Sequence, residues 1–439
     1  MKKKLLLPLL LVLLAGVITT GLFFSASEEI VGQYVDVTVD GIAVRLYTTD
    51  DPRYEEGAPI VVLIKGGYEE KDLYDDLQLH DTIVVTFLFP GVEDDKMGRE
   101  SEGVYDYRGE DSIEALKYVI LYSVGEIEDD DGKKINDVLD YALTSNVGAI
   151  GVSNGGNLPV ASAALYGDEL NGYLDYIIQW ETPISSQVAA RDLGEIVLEP
   201  LELTDSPRRG EFFNPRYLGY GKKSIDVDYF DLTYNENSLF EIFHDGNMDG
   251  KYTYEMVDGK PNPDLNGNGE LSMDEDFPLD YFPDGEKRYY SLPVTQALLD
   301  FGVFKEWPEN IATVEEAEDY WKIRESVQLY SAAMNNMPDL KAMFLANVED
   351  HVQSNPHKSH VRQAFDGWND NGAWIQINPD PEYITEVDAF VRIEELPRNE
   401  PNVAPSDWDD IEAYCIPENV DSLKYQQAAV KHMADLVYW

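Results

Sequence analysis

Four short apolar runs, each followed by a turn, constrain the fold of this chain more than any other feature of its sequence. They occupy residues 59–64, 82–89, 147–151 and 174–180. Because each run is apolar on both faces, each is typical of a strand at the centre of a parallel sheet that helices cover on both sides. Helical stretches lie between the runs, at 111–124 and 158–166. The alternation of strand and helix predicts an α/β fold with a mostly parallel central sheet.

The rest of the chain divides around this centre. Alternating apolar and polar residues at 35–47 predict a hairpin with a tight turn at Asp40 and Gly41. Further helices are expected at 294–304, 314–334, 359–368 and 420–438, and further strands at 340–346 and 373–377. The expected division is a signal peptide or membrane anchor at 1–27, a core at 35–190 and 315–439, and an irregular acidic insertion or lid at 191–314.

The N-terminal residues predict export from the cytoplasm. Lysines at positions 2–4 precede an uncharged apolar run at 5–24, and small residues follow at 25–27. A basic start before an apolar stretch directs a chain across the membrane and keeps the lysines on the cytoplasmic side. The run is also long enough to span a bilayer, so a cleaved signal and a retained transmembrane anchor are both open. In either case the rest of the chain is expected to be extracytoplasmic, secreted or anchored.

The charge balance argues against nucleic acid as a partner. The chain carries 84 acidic and 33 basic side chains, for a formal net charge of -51. Such a surface repels the phosphates of nucleic acids and of anionic lipids, and it attracts cations. An acidic surface suited to a salty medium explains the same composition. The single cysteine, Cys415, excludes a disulfide within the chain and argues against a thiolate zinc site.

A strand-to-helix turn carries the motif with the most chemical meaning. The G-x-S-x-G pattern is matched by Gly151-Val152-Ser153-Asn154-Gly155, and Gly156 adds a further small residue. In this motif a strained turn points the serine hydroxyl out of the sheet. The next backbone N–H, here that of Asn154, points at the oxygen that becomes negative during acyl transfer. The alternative is a glycine-rich turn without chemistry.

Residues 35–190 and about 315–439 resemble the α/β-hydrolase superfamily. The elbow, Ser153-Asn154-Gly155-Gly156, is similar to that of prolyl-oligopeptidase-like enzymes and related esterases. The segment Lys65-Gly66-Gly67-Tyr68 is similar to the loop after the third strand, which usually has the sequence His-Gly-Gly and supplies the other oxyanion donor. The resemblance implies Ser153 as nucleophile, Asn154 as one donor, and the backbone N–H of Gly67 or Tyr68 as the second.

The resemblance also implies an acid after the next-to-last strand and a histidine after the last one. The acid is Asp350, in a segment similar to the family's Gly-x-x-Asp-x-Val. No histidine follows the last expected strand, and three histidines crowd the residues just after Asp350 instead. Of these, His360 and His357 are the expected bases, because His351 is adjacent to Asp350 and is expected to point the opposite way. Ordinary polar loop histidines are the alternative, and His432 is expected to be a packed or surface residue.

Residues 264–275 match a calcium-binding loop of the EF-hand type. Oxygen ligands fall at the positions that such a loop uses, with a glycine at its sharp turn. The expected ligands are Asp264, Asn266, Asn268, Glu270 through its carbonyl, and Glu275. Asp245, Asn247 and Asp249 open a second, weaker loop, whose twelfth residue is Met256. Prolines before the stronger loop exclude an ordinary entering helix, so the calcium is expected to be structural.

Three functions are compatible with these features. The first is an extracytoplasmic serine hydrolase that acts on a small ester or peptide substrate, with structural Ca²⁺ and no organic cofactor. The second is a non-catalytic binding or surface protein that has the hydrolase fold but lacks the usual histidine. In the third, a calcium-dependent adhesion or surface-layer protein, the insertion is the functional part.

Overall fold

The central sheet of the computed structural model has eight strands. They are β1 (Tyr34–Val39), β2 (Ile42–Tyr47), β3 (Ala58–Ile64), β4 (Ile83–Phe87), β5 (Ala142–Val152), β6 (Tyr176–Trp180), β7 (Lys341–Leu345) and β8 (Trp374–Ile377). Their order across the sheet is β1-β2-β4-β3-β5-β6-β7-β8. The pairs β1–β2 and β2–β4 are antiparallel. Every other neighbouring pair is parallel.

The structure describes only part of the chain. The described residues are 33–67, 72–94, 96–186, 196–198, 210–212, 232–238, 241–244, 250, 255–257, 260–262, 277–279, 281–348, 350, 352, 358–385, 404–405, 408–417 and 420–439. The predicted signal or anchor at 1–27 lies outside this set. Among the helices within it, none is long and apolar enough to cross a membrane.

Helices cover both faces of the sheet. The α-helices of the described residues are α1 (Glu110–Ser123), α2 (Ile135–Val138), α3 (Asn157–Leu170), α4 (Leu292–Asp300), α5 (Val314–Lys322), α6 (Ser326–Asn336), α7 (Ser359–Asn369), α8 (Pro381–Thr385) and α9 (Ser422–Tyr438). Of these, α4 and α5 pack in smaller clusters away from the sheet. Side chains of α1, α3, α6 and α7 share one hydrophobic cluster, whereas those of α9 belong to another. Strand β3 supplies Ile60 and Val62 to the first cluster and Val61 and Leu63 to the second, as the alternation of side chains along a strand requires.

The predicted α/β-hydrolase fold is confirmed by this arrangement, in which a mostly parallel sheet lies between helices. The predicted hairpin turn is also confirmed, because Asp40 and Gly41 adopt φ values of 50° and 75° between β1 and β2. Two consecutive positive φ values match the two-residue turn that Asp-Gly favours.

One expected helix is divided in the structure. The stretch 314–334 forms two helices, α5 and α6, with a break before Ser326. At the break, the carboxylate of Glu325 is buried and accepts hydrogen bonds from the Ser186 backbone N–H at 3.0 Å and from its hydroxyl at 2.7 Å. Burial raises the pKa of Glu325. The helical periodicity of the sequence did not reveal this tertiary contact.

The described parts of the expected insertion contain short antiparallel strands, and none of these strands joins the central sheet. Leu232–Tyr234, Ile242–His244 and Phe277–Leu279 form one small sheet, and Phe282–Asp284 pairs with Lys287–Tyr289. The remaining short pairs are Ile196–Leu198 with Gly210–Phe212, Glu255–Val257 with Lys260–Asn262, and Glu93–Asp94 with Arg99–Glu100. A 3-10 helix at Trp408–Tyr414 lies between β8 and α9 in sequence.

A buried ion pair attaches α9 to the rest of the fold. The Arg53 guanidinium donates two hydrogen bonds of 2.7 Å to the Asp435 carboxylate, one from Nε and one from Nη2. The hydroxyls of Tyr54 and Tyr383 donate to the same carboxylate at 2.7 and 2.9 Å. Arg53 also pairs through Nη1 with the buried Asp81 at 2.7 Å. Because these charges are shielded from water, each depends on its partners for neutralisation.

We expect Asp435→Ala to lower the free energy of unfolding by about 3 kcal/mol, because it leaves the Arg53 charge buried without its bidentate partner. Urea denaturation followed by circular dichroism measures the change. Lys424→Ala is the matched control, since Lys424 is an exposed residue of the same helix. A loss for Asp435→Ala no larger than that of the control would contradict the role of the ion pair.

Candidate active site

The elbow motif forms the predicted turn between strand and helix. Strand β5 ends at Val152, a 3-10 turn covers Ser153–Gly156, and α3 begins at Asn157. Ser153 has a φ of 49°, in the left-handed region that residues with side chains seldom occupy. Such backbone strain concentrates at functional sites, and a strained serine is the defining property of the nucleophile elbow.

Two positions of the elbow require glycine because atoms of neighbouring segments lie too close for a side chain. A Cβ atom on Gly155 would lie 2.5 Å from the carbonyl oxygen of Ile64, at the end of β3. A Cβ atom on Gly156 would lie 1.9 Å from Thr182 Oγ1, just beyond β6. The turn is therefore packed between the ends of both neighbouring strands of the sheet.

This packing brings the predicted oxyanion loop to the serine. A Cβ atom on Gly66 would lie 3.1 Å from the carbonyl oxygen of Val152 and 3.2 Å from the Cβ of Ser153, so this loop lies directly beside the turn. Gly67, one of the two expected donors, follows with a φ of 70°. Tyr68, the other, lies outside the described residues. The sequence resemblance thus located a loop that the structure places beside Ser153.

Two basic side chains hold this loop. The Lys65 ammonium forms ion pairs with Asp72 and, at 2.9 Å, with Asp76. Burial alone would lower the pKa of Lys65, but the two carboxylates outweigh it and the pKa is raised. Arg108 Nη2 donates to the carbonyl oxygens of Lys65 at 2.8 Å and Gly66 at 2.9 Å. Sequence reasoning missed Arg108, which precedes α1 and belongs to no motif.

The predicted acid and one predicted base are in contact. Asp350 follows β7, and its Oδ2 lies 2.8 Å from Nε2 of His360, in the first turn of α7. Both side chains are 0% exposed. Asp350 Oδ1 also accepts the backbone N–H of Val352 at 2.8 Å. The catalytic roles of Asp350 and His360 stay predictions, and His357 lies outside the described part of the chain.

The other histidine considered from the sequence is packed elsewhere. His432, on α9, stacks on Tyr383 with ring centroids 4.7 Å apart, and its Nδ1 accepts the Asp380 backbone N–H at 3.3 Å. Burial lowers the pKa of His432. His432 is therefore a packed residue, one of the two alternatives, packed or surface, that the sequence analysis gave for it.

An asparagine occupies the position directly after the last strand. Asn378 has a φ of 62°, and its side chain accepts from the backbone N–H of Ala346 and donates to the carbonyl oxygen of the same residue, each at 2.9 Å. It also donates to the Tyr414 carbonyl at 2.8 Å. The residue therefore fastens the ends of β7 and β8 together, where the superfamily resemblance would have placed the histidine.

A further buried carboxylate at this edge escaped sequence reasoning. Val152 pairs with Trp180 in the sheet, so Glu181 follows β6 at the same edge at which Ser153 follows β5. Glu181 is buried with a φ of 44°, and it accepts a hydrogen bond from the Tyr425 hydroxyl at 3.3 Å. That hydroxyl accepts from Trp180 Nε1 at 2.7 Å and from Asn347 at 2.9 Å. A lone Glu after an apolar run was the only signal in the sequence.

A cavity opens beside the elbow. It is partly open to solvent, and Asn154 and Asn157 of the turn and α3 line it. Its opposite wall includes Phe282 and Trp321, whose rings meet edge to face at 4.7 Å. Phe282 lies in the expected insertion, so this segment contributes to the space next to Ser153.

No metal cluster is found among the residues that the structure describes. The ligands predicted for both calcium loops fall outside that set: Asp264, Asn266, Asn268, Glu270, Glu275, Asp245, Asn247 and Asp249. The calcium sites therefore stay predictions.

Comparison with known proteins gives only distant structural likenesses. No family model matches the chain, and no curated protein does. A fungal esterase from Rhizomucor miehei is similar at 11% identity over 92% of this chain and 83% of its own, with a TM-score of 0.39. Pyrococcus horikoshii acylaminoacyl peptidase is similar at 8% identity over 79% of this chain and 36% of its own, with a TM-score of 0.36.

Another solved structure, MGS-M1, is an α/β hydrolase from a Medee basin deep-sea metagenome library. It is similar at 11% identity over 34% of this chain and 57% of its own, with a TM-score of 0.23. The chain spans less than two thirds of this enzyme and of the peptidase. Likenesses at these TM-scores carry no argument about activity. The α/β-hydrolase fold therefore rests on the sheet and the elbow of this chain itself.

Proposed function

We propose that the protein is a serine hydrolase that cleaves ester or peptide bonds in small substrates, with Ser153 as its nucleophile. The observation that carries the proposal is the position of Ser153 at a positive φ, directly between β5 and α3, with Gly66 of the oxyanion loop against it. A solvent-facing hydroxyl needs no such strain, whereas a nucleophile elbow does.

In this proposal His360 accepts the proton of Ser153 as the hydroxyl attacks the substrate carbonyl. Because Nε2 of His360 faces Asp350, the nitrogen that serves the serine is Nδ1. Asp350 holds the ring in one orientation and stabilises the imidazolium that forms. The backbone N–H groups of Asn154 and of Gly67 or Tyr68 stabilise the oxyanion, and the proton then passes from His360 to the leaving group.

A second candidate is a non-catalytic binding protein with the same fold. Two observations favour it: Asp350 and His360 are wholly buried, and Asn378 stands bonded to the backbone where the superfamily resemblance implies a histidine. The two candidates differ in whether Ser153 is reactive.

We expect a fluorophosphonate probe to label the wild-type protein and to leave Ser153→Ala unlabelled, since an activated serine alone reacts readily with such probes. Labelling is read by intact-protein mass spectrometry. Ser422→Ala, which alters an exposed serine of α9, is the matched control and retains the label. If folded wild-type protein takes up no label, the non-catalytic candidate stands instead.

We expect Asp350→Asn and His360→Gln each to lower kcat on a reactive ester by roughly 10⁴-fold, because each removes one member of the proton-transfer pair. The KM for the same ester is expected to change little. His80→Gln, at an exposed histidine, is the control. A His360→Gln protein that keeps its kcat and loses only thermal stability would show that the pair is structural.

We also propose that the protein acts outside the cytoplasm, exported through the basic and apolar segment at 1–24, and that Ca²⁺ orders the insertion. Strand pairing supports the second point. Ile242–His244, which ends just before the weaker calcium loop, pairs with Phe277–Leu279, which begins just after the stronger one. The two ends of the acidic stretch 245–276 are thereby held together, which favours a loop structure that cations complete.

We expect a calcium chelator to lower the melting temperature, because Ca²⁺ binds the folded insertion and not the unfolded chain. Excess Ca²⁺ should restore it, whereas Mg²⁺, which prefers a tighter octahedral site, should not. Glu275→Gln is expected to remove most of the effect. An identical melting temperature with and without chelator would argue against structural calcium.

A further inference from the structure

The cavity beside the elbow has a positive lining in a strongly acidic chain. Both charged side chains that line it, among the residues described, are arginines, Arg108 and Arg324. The whole chain has 84 acidic residues against 33 basic ones, so a lining whose described charged side chains are both arginines is unexpected. Neither guanidinium has a carboxylate within ion-pair distance among the described groups.

Arg108 is buried with part of its guanidinium unsatisfied. It is 4% exposed, and Nη2 is used by the carbonyl oxygens of Lys65 and Gly66. Nε and Nη1 are buried and have no hydrogen-bond partner within the described part of the chain. A buried charge with unmatched N–H groups is unfavourable, and an anionic acceptor in the cavity would satisfy it.

Two buried tyrosine hydroxyls belong to the same region. That of Tyr105 adjoins the Arg108 guanidinium, whereas that of Tyr320 lacks a hydrogen-bond partner among described atoms. Burial raises the pKa of Tyr105, an effect that the neighbouring Arg108 opposes. Burial likewise raises the pKa of Tyr320 to well above its ordinary value, so both phenols keep their protons at neutral pH. The buried groups of Arg108, Tyr105 and Tyr320 therefore offer N–H and O–H donors but few hydrogen-bond acceptors.

Arg324 adds charge to this wall. Its guanidinium donates to the backbone carbonyls of Tyr107, Tyr320 and Asp106 at 3.0, 2.9 and 2.7 Å. Two acids, Asp106 and Asp284, lie in the neighbourhood of Arg324. The Asp106 carboxylate accepts the N–H groups of Gly109 and Asp111 at the start of α1, and burial raises the pKa of Asp284.

We propose that this cavity is a subsite for a carboxylate carried by the substrate, with Arg108 as its principal ligand. The inference rests on the proposed hydrolase function and narrows it to esters or peptides that bear a carboxylate close to the scissile bond. The apolar part of the wall, formed by Leu158, Phe282 and Trp321, suits an organic body attached to the anion. Arg108 connects the subsite to catalysis, because the same guanidinium holds the carbonyls of the oxyanion loop.

The test measures binding, so that it does not depend on turnover. In the Ser153→Ala protein, calorimetry compares 4-phenylbutyrate with 4-phenylbutyramide, a neutral molecule of nearly the same shape. We expect the carboxylate to bind about tenfold more tightly or better, as a hydrogen-bonded charge pair in a partly buried site allows. Adding Arg108→Met should erase the preference, whereas Arg362→Met, at a surface arginine, should keep it.

Because Arg108→Met also releases the oxyanion loop, Tyr320→Phe provides a milder variant that removes one donor and no backbone contact. This variant should weaken binding of the carboxylate by a few-fold and leave the affinity for the amide unchanged.

Equal affinities for the acid and the amide, or no binding of either, would overturn the subsite. Phosphate binding with no preference for the organic acid would do so as well. If a fluorophosphonate labels Ser153 but the cavity shows no preference for the carboxylate, the subsite inference is wrong and the hydrolase proposal stands. If the cavity prefers the carboxylate but Ser153 is not labelled, the hydrolase proposal is wrong and the cavity is an anion-binding site only.

Discussion

The close contact between the elbow and the ends of its neighbouring strands is the constraint on which the site depends. Gly155 and Gly156 lie so near the carbonyl of Ile64 and the hydroxyl of Thr182 that no side chain fits at either position. With the turn held this tightly, Ser153 takes up the left-handed backbone conformation, and Gly66 lies against it. Parallel strands that end at one edge make this convergence possible, since β3, β5 and β6 all deliver their following residues to the same place.

Five basic side chains of this acidic protein make two kinds of contact. Arg45, Arg53 and Lys65 each pair with carboxylates, and these pairs connect β2 to β1, α9 to the sheet, and the oxyanion loop to the segment after it. Arg108 and Arg324 instead donate to backbone carbonyls around the cavity. With carboxylates so abundant, the two cavity arginines are the more informative pair, because neither is in ion-pair contact with a carboxylate among the described residues.

Much of the fold could be predicted from local pattern. The apolar runs became β3 to β6, and the Asp40-Gly41 turn formed the hairpin, since strand periodicity and turn chemistry are properties of neighbouring residues. The prediction was less complete where a distant contact decided the outcome. The division between α5 and α6 depends on Glu325 meeting Ser186, and β5 starts at Ala142, before the apolar run begins, because it pairs with Ala58 of β3.

For the predicted site, the sequence by itself located the turn at Ser153, the loop at Lys65 to Gly67 and Asp350, because each belongs to a short motif tied to the end of one strand. The sequence narrowed the partner of Asp350 to two nearby histidines, and the fold brings His360 to it. Tertiary structure alone decided that Asn378 fastens β7 to β8 and that Arg108 reaches the loop at Lys65 and Gly66. Arg108 and the carbonyl of Gly66 are 42 residues apart in the chain. A single sequence carries no signal for such pairs, because their proximity follows from how the sheet brings its strand ends together and not from any spacing along the chain.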